Sequence, residues 1–261
     1  MELLLADRTR LILLLAACAL LASIETVVPL FRYRAGRLWR AFPNLVLALG
    51  VVLTNLALAS LTASVSAWVT QNDIGLLSWS RSHPWVLIPA GVAGLDLFAY
   101  IAHRLLHKIP QAWKFHCVHH SELEVDVTTA FRQHPGETLW RASWQFLGTI
   151  VLGLPIWIVL LYLSLSGLNA ILEHSNLRMN DRVDRCLRLL IVTPNMHKVH
   201  HSRLGTETDS NFSNILSFWD RIGGTYTGWA SNLELCYGLD GFDDREKQTL
   251  IGLLSGPFRS F

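Results

Sequence analysis

The stretch P-W-V-L-I-P-A-G-V-A-G-L-D-L-F-A-Y-I-A-H-R-L-L-H, Pro84 to His107, opens as an apolar run to about Ala102 and closes on two histidines. As α-helix such a run crosses roughly 30 Å of hydrocarbon. Its last turns carry His103 and His107; four helical residues turn through about 400°, which leaves the two imidazoles about 40° apart on one face, where one metal can take both. Outward from this stretch the chain keeps the same character. An apolar run from Leu11 to Phe31 is broken only by Glu25, and another extends from about Phe42 to Val69. Both predict spanning helices, and with no small-residue cleavage site close behind it the first reads as an anchor. A block from Trp140 to Leu172 contains Gly153 and Pro155 and exceeds one span by half, so a helical hairpin is expected in preference to one kinked helix. Trp39, Trp68, Trp79, Trp85, Trp113, Trp140 and Trp144 fall near proposed helix ends, as interfacial aromatics do.

Composition agrees. Of 261 residues, 51% are hydrophobic and 16% charged, whereas soluble domains carry nearer a quarter charged residues. Lys+Arg 22 against Asp+Glu 20 is too balanced for a protein that neutralises nucleic-acid phosphates. Cys18, Cys117, Cys186 and Cys236 form no C-x-x-C pair, so neither a disulfide scaffold nor a thiolate zinc site is implied. Arg32, Arg34, Arg37 and Arg40 follow the first span and Arg104, Lys108 and Lys114 the third, while the Thr70–His83 loop holds only Arg81. The basic loops predict a cytoplasmic face there and an outside amino terminus, against which Arg8 and Arg10 weigh. From Arg178 on, polar and Gly-rich sequence predicts a compact cytosolic cap.

Histidine, with eleven copies, is the residue in excess. W-K-F-H-C-V-H-H supplies His116, His119 and His120, and P-N-M-H-K-V-H-H-S supplies His197, His200 and His201; in each box positions i, i+3 and i+4 fall on one helical face. His134 in R-Q-H-P-G-E and His174 in L-E-H-S-N-L stand between them, and His83, before Pro84 on the opposite side, is excluded. A lone histidine is most often structural. Three boxes with one-face spacing are not explained that way, because several desolvated imidazoles would gather without a shared partner. Eight to ten histidines exceed one ion's needs and suit two. Zincin chemistry wants H-E-x-x-H and soluble di-iron bundles want Glu-x-x-His pairs; neither is present. What remains is a histidine-rich dinuclear iron centre at a membrane surface. Asp96, two turns before His103, and Glu173, beside His174, are candidates to orient imidazole N–H groups; Glu25, an intramembrane carboxylate, is either functional or placed near headgroups. Two competing classes are weaker: a metal transporter would hold its ligands near the midplane, and a haem carrier would not set His119 beside His120.

The order H-x-x-x-H, H-x-x-H-H, a central histidine and a last H-x-x-H-H resembles the fatty acid hydroxylase superfamily, also called the sterol desaturase family. D-L-F-A-Y-I-A-H-R-L-L-H, T-T-A-F-R-Q-H-P-G-E, L-E-H-S-N-L-R, V-T-P-N-M-H-K-V-H-H-S and N-F-S-N-I-L-S-F-W-D-R-I-G-G-T-Y are similar to its bacterial sterol-desaturase-like members, over about Pro84 to Trp229. The resemblance implies an O2-dependent oxidoreductase with two non-haem iron ions that hydroxylates or desaturates a lipid, fed by a separate electron-donor protein, in the bacterial inner membrane. It implies His103, His107, His116, His119, His120, His197, His200 and His201 as box ligands, with His134 and His174 matching further family histidines. Some members carry H-x-x-x-H in the central region, but here Arg178 stands four residues after His174, so a tenth ligand would be His134 or a non-histidine group. The expectation is therefore an all-α integral membrane protein with four to five membrane-embedded helices and a cytosolic helical cap holding the dinuclear site. Its parts are an anchor of two transmembrane helices (1–83), a hydroxylase-like catalytic domain (84–229) and a tail (230–261).

Overall fold

The structure, a computed structural model, describes residues 2–33, 36–229 and 235–258, with side chains at Thr9 and from Ile12 onward. Arg34 and the side chains of Arg8 and Arg10, which enter the charge asymmetry, lie outside the described residues, as do 230–234 and 259–261 of the tail.

The architecture is all helical. Five long helices, α1 (Glu2–Val27), α2 (Arg37–Gln71), α3 (Pro84–Lys108), α5 (Pro135–Leu152) and α6 (Ile156–His174), pack side by side, with α4 (Pro110–His120) following α3. Short helices close the carboxyl-terminal half: α7 (Asp181–Leu187), α8 (Pro194–His200), α9 (Gly205–Thr208), α10 (Phe218–Ile222) and α11 (Leu250–Ser255). Pairing between extended segments among the described residues is limited to two isolated bridges, Pro29–Leu177 and Ile191–Leu216. Proline opens α3, α4, α5 and α8, where its missing N–H costs nothing and its fixed φ favours the first turn. α2, α3 and α6 are long and apolar enough to cross a membrane; the apolar part of α1, Ile12–Val27, is shorter. On α2 the side chains of Leu45, Leu49, Leu53 and Leu56 stay more than half exposed, an outward stripe that water would penalise and lipid accepts.

The Trp140–Leu172 block is a hairpin. Gly153 ends α5 with φ 72°, a left-handed conformation that glycine adopts without strain. A Cβ there would lie 2.0 Å from the Ile74 carbonyl oxygen. The hairpin turn is locked onto the α2–α3 loop, Leu76 N–H donating to Val151 O and Leu77 N–H to Leu152 O, each at 2.9 Å. Arg81, the lone basic residue of that loop, donates to the carbonyls of Val69, Thr70, Ile74 and Gly153 and pairs with Asp73. It is spent on closing helix ends. Between α3, α5 and α6 lies a core of Leu87, Leu95, Leu152, Leu154, Ile158, Val159, Tyr162 and Ile215.

The opposite end carries every box histidine, and polar pins assemble it. The buried Glu25 carboxylate pairs with Arg37 and accepts from Asn176 N–H at 2.8 Å and Val127 N–H at 3.2 Å. Glu25 thus joins the end of α1, the start of α2 and the chain beyond α6. Fully buried Arg132 donates to Val118 O, Asn44 Oδ1, Ser121 Oγ and Gln248 Oε1. This one side chain therefore ties α2, the end of α4 and the tail together, across the boundaries of the three-part division. Two of the tryptophans near helix ends are half-buried: Trp113 lies against His107 and His120, and Trp140 Nε1–H donates to Ala102 O at 3.0 Å.

Candidate metal centre

α3 delivers His103 and His107 from its last two turns, α4 delivers His116, His119 and His120, α6 ends on His174, and α8 with its cap delivers His197, His200 and His201. The nine rings meet as two groups. His103, His107, His116, His120 and His200 form one; His119, His174, His197 and His201 form the other; within each, one ring nitrogen per residue lies within 4.8 Å of all the rest. Each H-x-x-H-H box divides between them. The first box sends i and i+4 (His116, His120) to the five-histidine group and i+3 (His119) across; the second sends i and i+4 (His197, His201) to the four-histidine group and i+3 (His200) back. The expected shared face exists, but it is a ridge between two sites.

Hydrogen bonds fix which nitrogen faces inward. Among the five, His103 Nδ1–H donates to Phe212 O at 2.9 Å, His200 Nδ1–H to Ser210 O at 2.7 Å and His107 Nδ1–H to Asp209 Oδ1 at 3.2 Å. His116 Nδ1 stands 3.0 Å from Glu137 Oε1. A neutral imidazole whose Nδ1 carries the proton has a bare Nε2, and the Nε2 atoms of His103 and His116 face each other at 3.0 Å. Among the four, His174 Nδ1–H donates to Ala170 O, while its Nε2 lies 3.1 Å from His119 Nε2 and 3.0 Å from His197 Nε2. Both ring nitrogens of His120 and His201, and Nε2 of His107 and His200, are buried without a protein partner. Converging bare nitrogens repel, and buried polar atoms left unpaired are costly; a cation in each group relieves both. The rings are also in the binding form. Burial, reinforced by neighbouring imidazoles, holds His119, His120, His197, His200 and His201 well below the usual imidazole range, leaving them neutral near pH 7 as metal ligands must be.

The remaining sequence candidates separate. His134 joins neither group: as the N-cap of α5 its Nδ1 accepts from Gly136 N–H at 3.0 Å, and its ring stacks on Phe115. Asp96 does not reach an imidazole; its oxygens accept from the backbone N–H groups of Ile215 and Leu216 at 3.1 and 2.8 Å. Glu173 does stand beside the site, 3.8 Å from both His174 Nδ1 and His197 Nε2. His83 is remote, its Nδ1 3.0 Å from Ser82 Oγ.

Two features escaped the sequence reading. Glu137, fully buried, touches His116 and is held from behind by Arg141 Nε at 2.8 Å; burial alone would raise its carboxyl, but His116 and Arg141 outweigh it and hold the group at about 2. Its signal was the acid of H-P-G-E. The second is the run Asp209–Phe212, which aims one carboxylate and two carbonyls at three histidines. Asn211 sits at its bend with φ 52°, its side chain bonded to Met196 O, Thr227 O and Thr227 N–H. Asp220 grips the same run through Phe212 and Ser213 N–H.

A family model described as fatty acid hydroxylase matches residues 88–225. The ornithine lipid hydroxylase OlsE of Rhizobium tropici is 27% identical over 218 residues, covering 81% of this chain and 65% of that protein. Alkylglycerol monooxygenase of Homo sapiens is 30% identical over 179 residues, 69% of this chain and 38% of its own length; that of Danio rerio is 30% identical over 188 residues, 72% and 40%. The chain thus spans less than two thirds of each of these relatives. No solved structure matches it.

Proposed function

The chain belongs to the fatty acid hydroxylase family, and on that premise we propose that it is an integral-membrane oxidoreductase that uses O2 and two non-haem iron ions to hydroxylate, or desaturate, a lipid at a C–H bond. The observation that carries this reading is the division of nine buried histidines into two groups with converging bare nitrogens. Imidazole suits iron, and two groups suit two ions. When bound, the ions supply the oxidising chemistry that no side chain offers.

The chain's own residues do the rest. His103, His107, His116, His120 and His200 hold one ion and His119, His174, His197 and His201 the other. Glu137, Asp209 and the carbonyls of Ser210, Phe212 and Ala170 fix the Nδ1–H tautomers, so that the opposite nitrogens point inward. Burial of all nine rings, the His107 side chain being 1% exposed, keeps water from the reaction. Lipid enters from the bilayer between the helices, whose histidine ends lie together. Arg32, Arg37, Arg40, Arg104, Lys108 and Lys114 follow the first and third spans, a bias that supports a cytoplasmic orientation of that end at the inner membrane, within reach of a separate electron-donor protein. Residues 84–229 are the catalytic part, anchored by 1–83 and closed by the tail.

The test is metal content per chain and visible spectrum of detergent-purified protein from iron-supplemented cells. Two irons without a haem Soret band are expected; haem, or one zinc that survives His119 and His200 substitution, overturns the reading. Ornithine lipids and alkylglycerols, named in the relatives, are the first substrates to assay.

A further inference from the structure

α7 is built inside out. Asp184, on the side that packs against the protein, is 1% exposed, accepts from Thr193 Oγ1–H at 2.6 Å and pairs with Arg188 at 3.2 Å. On the opposite side Val183, Leu187 and Leu190 are exposed, the last by 68%. Arg188 N–H donates to Asp184 O and Leu190 N–H to Leu187 O, so the turn continues past the end of α7. At i, i+4 and i+7 the three apolar side chains fall within about 60° of one another, a stripe that water penalises. We propose that the segment 181–190 lies in the interface of the membrane that α2, α3 and α6 span, with Val183, Leu187 and Leu190 at the acyl boundary and Arg178, Arg182 and Arg185 on anionic headgroups. This goes beyond the reading of the metal centre and rests on those helices spanning.

Place and charge carry it. α6 ends at His174, and the chain that leaves it pairs at once with the end of α1: Leu30 N–H donates to Asn176 O at 3.0 Å and Arg178 N–H to Val28 O at 3.1 Å. Ile24, Val27 and Val28 are exposed there. The outward apolar surface of α1 thus reaches Arg178, and the three residues from Arg178 to the start of α7 at Asp181 span no more than about 11 Å. The stripe continues a surface that lipid already covers.

Arg178, Arg182 and Arg185 are exposed, against one exposed acid in the same segment, Asp181. Basic residues flanking an apolar stripe match the anionic surface of a bilayer. A second copy of this chain matches it less well, because a two-fold contact sets the patch against itself and brings like charges face to face. Thr193, which bonds Asp184, is also the N-cap of α8. The segment therefore ties the helix that carries His197 and His200 to the bilayer surface, where lipid is supplied.

The experiment puts a bimane fluorophore on Cys186, exposed beside the stripe, in the full chain carrying Cys18→Ala and Cys236→Ser. The protein is reconstituted in nanodiscs of phosphatidylcholine, with and without phosphatidylglycerol. Bromine on the acyl chains quenches a label in lipid and iodide quenches one in water. Labels at Leu53→Cys on α2 and at Asp240→Cys, each with Cys186→Ser added, mark the two limits. Bimane on Cys186 is expected to be quenched by bromine and protected from iodide, more so with phosphatidylglycerol. Leu187→Glu with Leu190→Glu should reverse this, and Arg182→Gln with Arg185→Gln should abolish the phosphatidylglycerol dependence. The label on Cys186 alone carries the test should the glutamate variant not fold. Iodide access at Cys186 equal to that at Asp240→Cys overturns the proposal, and protection from both quenchers overturns it in favour of a protein cover. Iodide access at Leu53→Cys overturns the spanning helices as well.

Discussion

The five-histidine and four-histidine groups draw on the same two H-x-x-H-H boxes, yet the protein holds them differently. In the first, three of five rings hydrogen-bond an acceptor through the outward nitrogen, Phe212 O, Ser210 O and Asp209, and a fourth, His116, has Glu137 Oε1 at 3.0 Å; none of these groups is on the ring's own helix. In the second, one ring of four is so held, His174 by the Ala170 carbonyl one turn earlier, while Nδ1 of His119, His197 and His201 has no protein partner. One group is oriented by a scaffold around it. The other is oriented by the helices that carry it, with the Glu173 carboxylate 3.8 Å from two of its rings. The first should therefore answer to substitutions distant in sequence, the second chiefly to changes in its own rings.

The largest expected effect comes from two adjacent residues. His119→Ala removes a ring of the four-histidine group and His120→Ala one of the five. Each variant should retain one ion of two and lose turnover by more than about 100-fold, beyond the ceiling for outer partners. The cobalt spectra of the remaining ions should differ between the variants; identical spectra would break the comparison at its root, because both rings would then serve one site.

This division was not legible in the sequence, and helix geometry says why. Positions i and i+4 lie about 40° apart, but i+3 and i+4 lie about 100° apart, on opposite flanks of i. A box with histidines at all three reads as one broad face. Which flank meets which partner is decided by the helices opposite, so the split of His119 from His120 is a tertiary fact. What local pattern controls was legible: α3 carrying its own two histidines, the hairpin broken at Gly153–Pro155, and the boxes themselves. Asp96 shows the limit of face arguments. It lies on the face of His103 but two turns away, where the backbone of Ile215 and Leu216 takes it up. The Ser210 and Phe212 carbonyls carry no side-chain signal at all, so nothing in the sequence could have named them.

Next in size is Glu137→Gln. It keeps the shape but removes the charge that holds the His116 Nδ1–H, and should weaken one ion by about 10–100-fold while leaving the other unchanged. Equal weakening of both ions, measured by stepwise metal titration, would mean that the scaffold serves the whole cluster. Asp209→Asn tests the same idea at the rim. Its side chain is 48% exposed and shared with Lys108, so water already screens it, and the loss should stay below about 10-fold.

The smallest effect sharpens the comparison from outside it. His134 caps α5 through a neutral Nδ1, so His134→Ala should cost about 1 kcal/mol of stability, seen as a lower melting temperature, with metal content unchanged. His134→Asn supplies another capping oxygen and should restore most of the loss. Acidity separates the two good caps. Burial lowers the His134 pKa from its ordinary 6.5, so the unfolded chain binds the proton more readily, and stability from this group is present above about pH 6.5 and lost as pH falls below it. Asparagine does not titrate there. The melting difference between wild type and His134→Asn should therefore be flat above that pH and shift in favour of asparagine below it. A flat difference throughout would overturn the cap through a neutral Nδ1, and loss of an ion in either variant would return His134 to the ligand set.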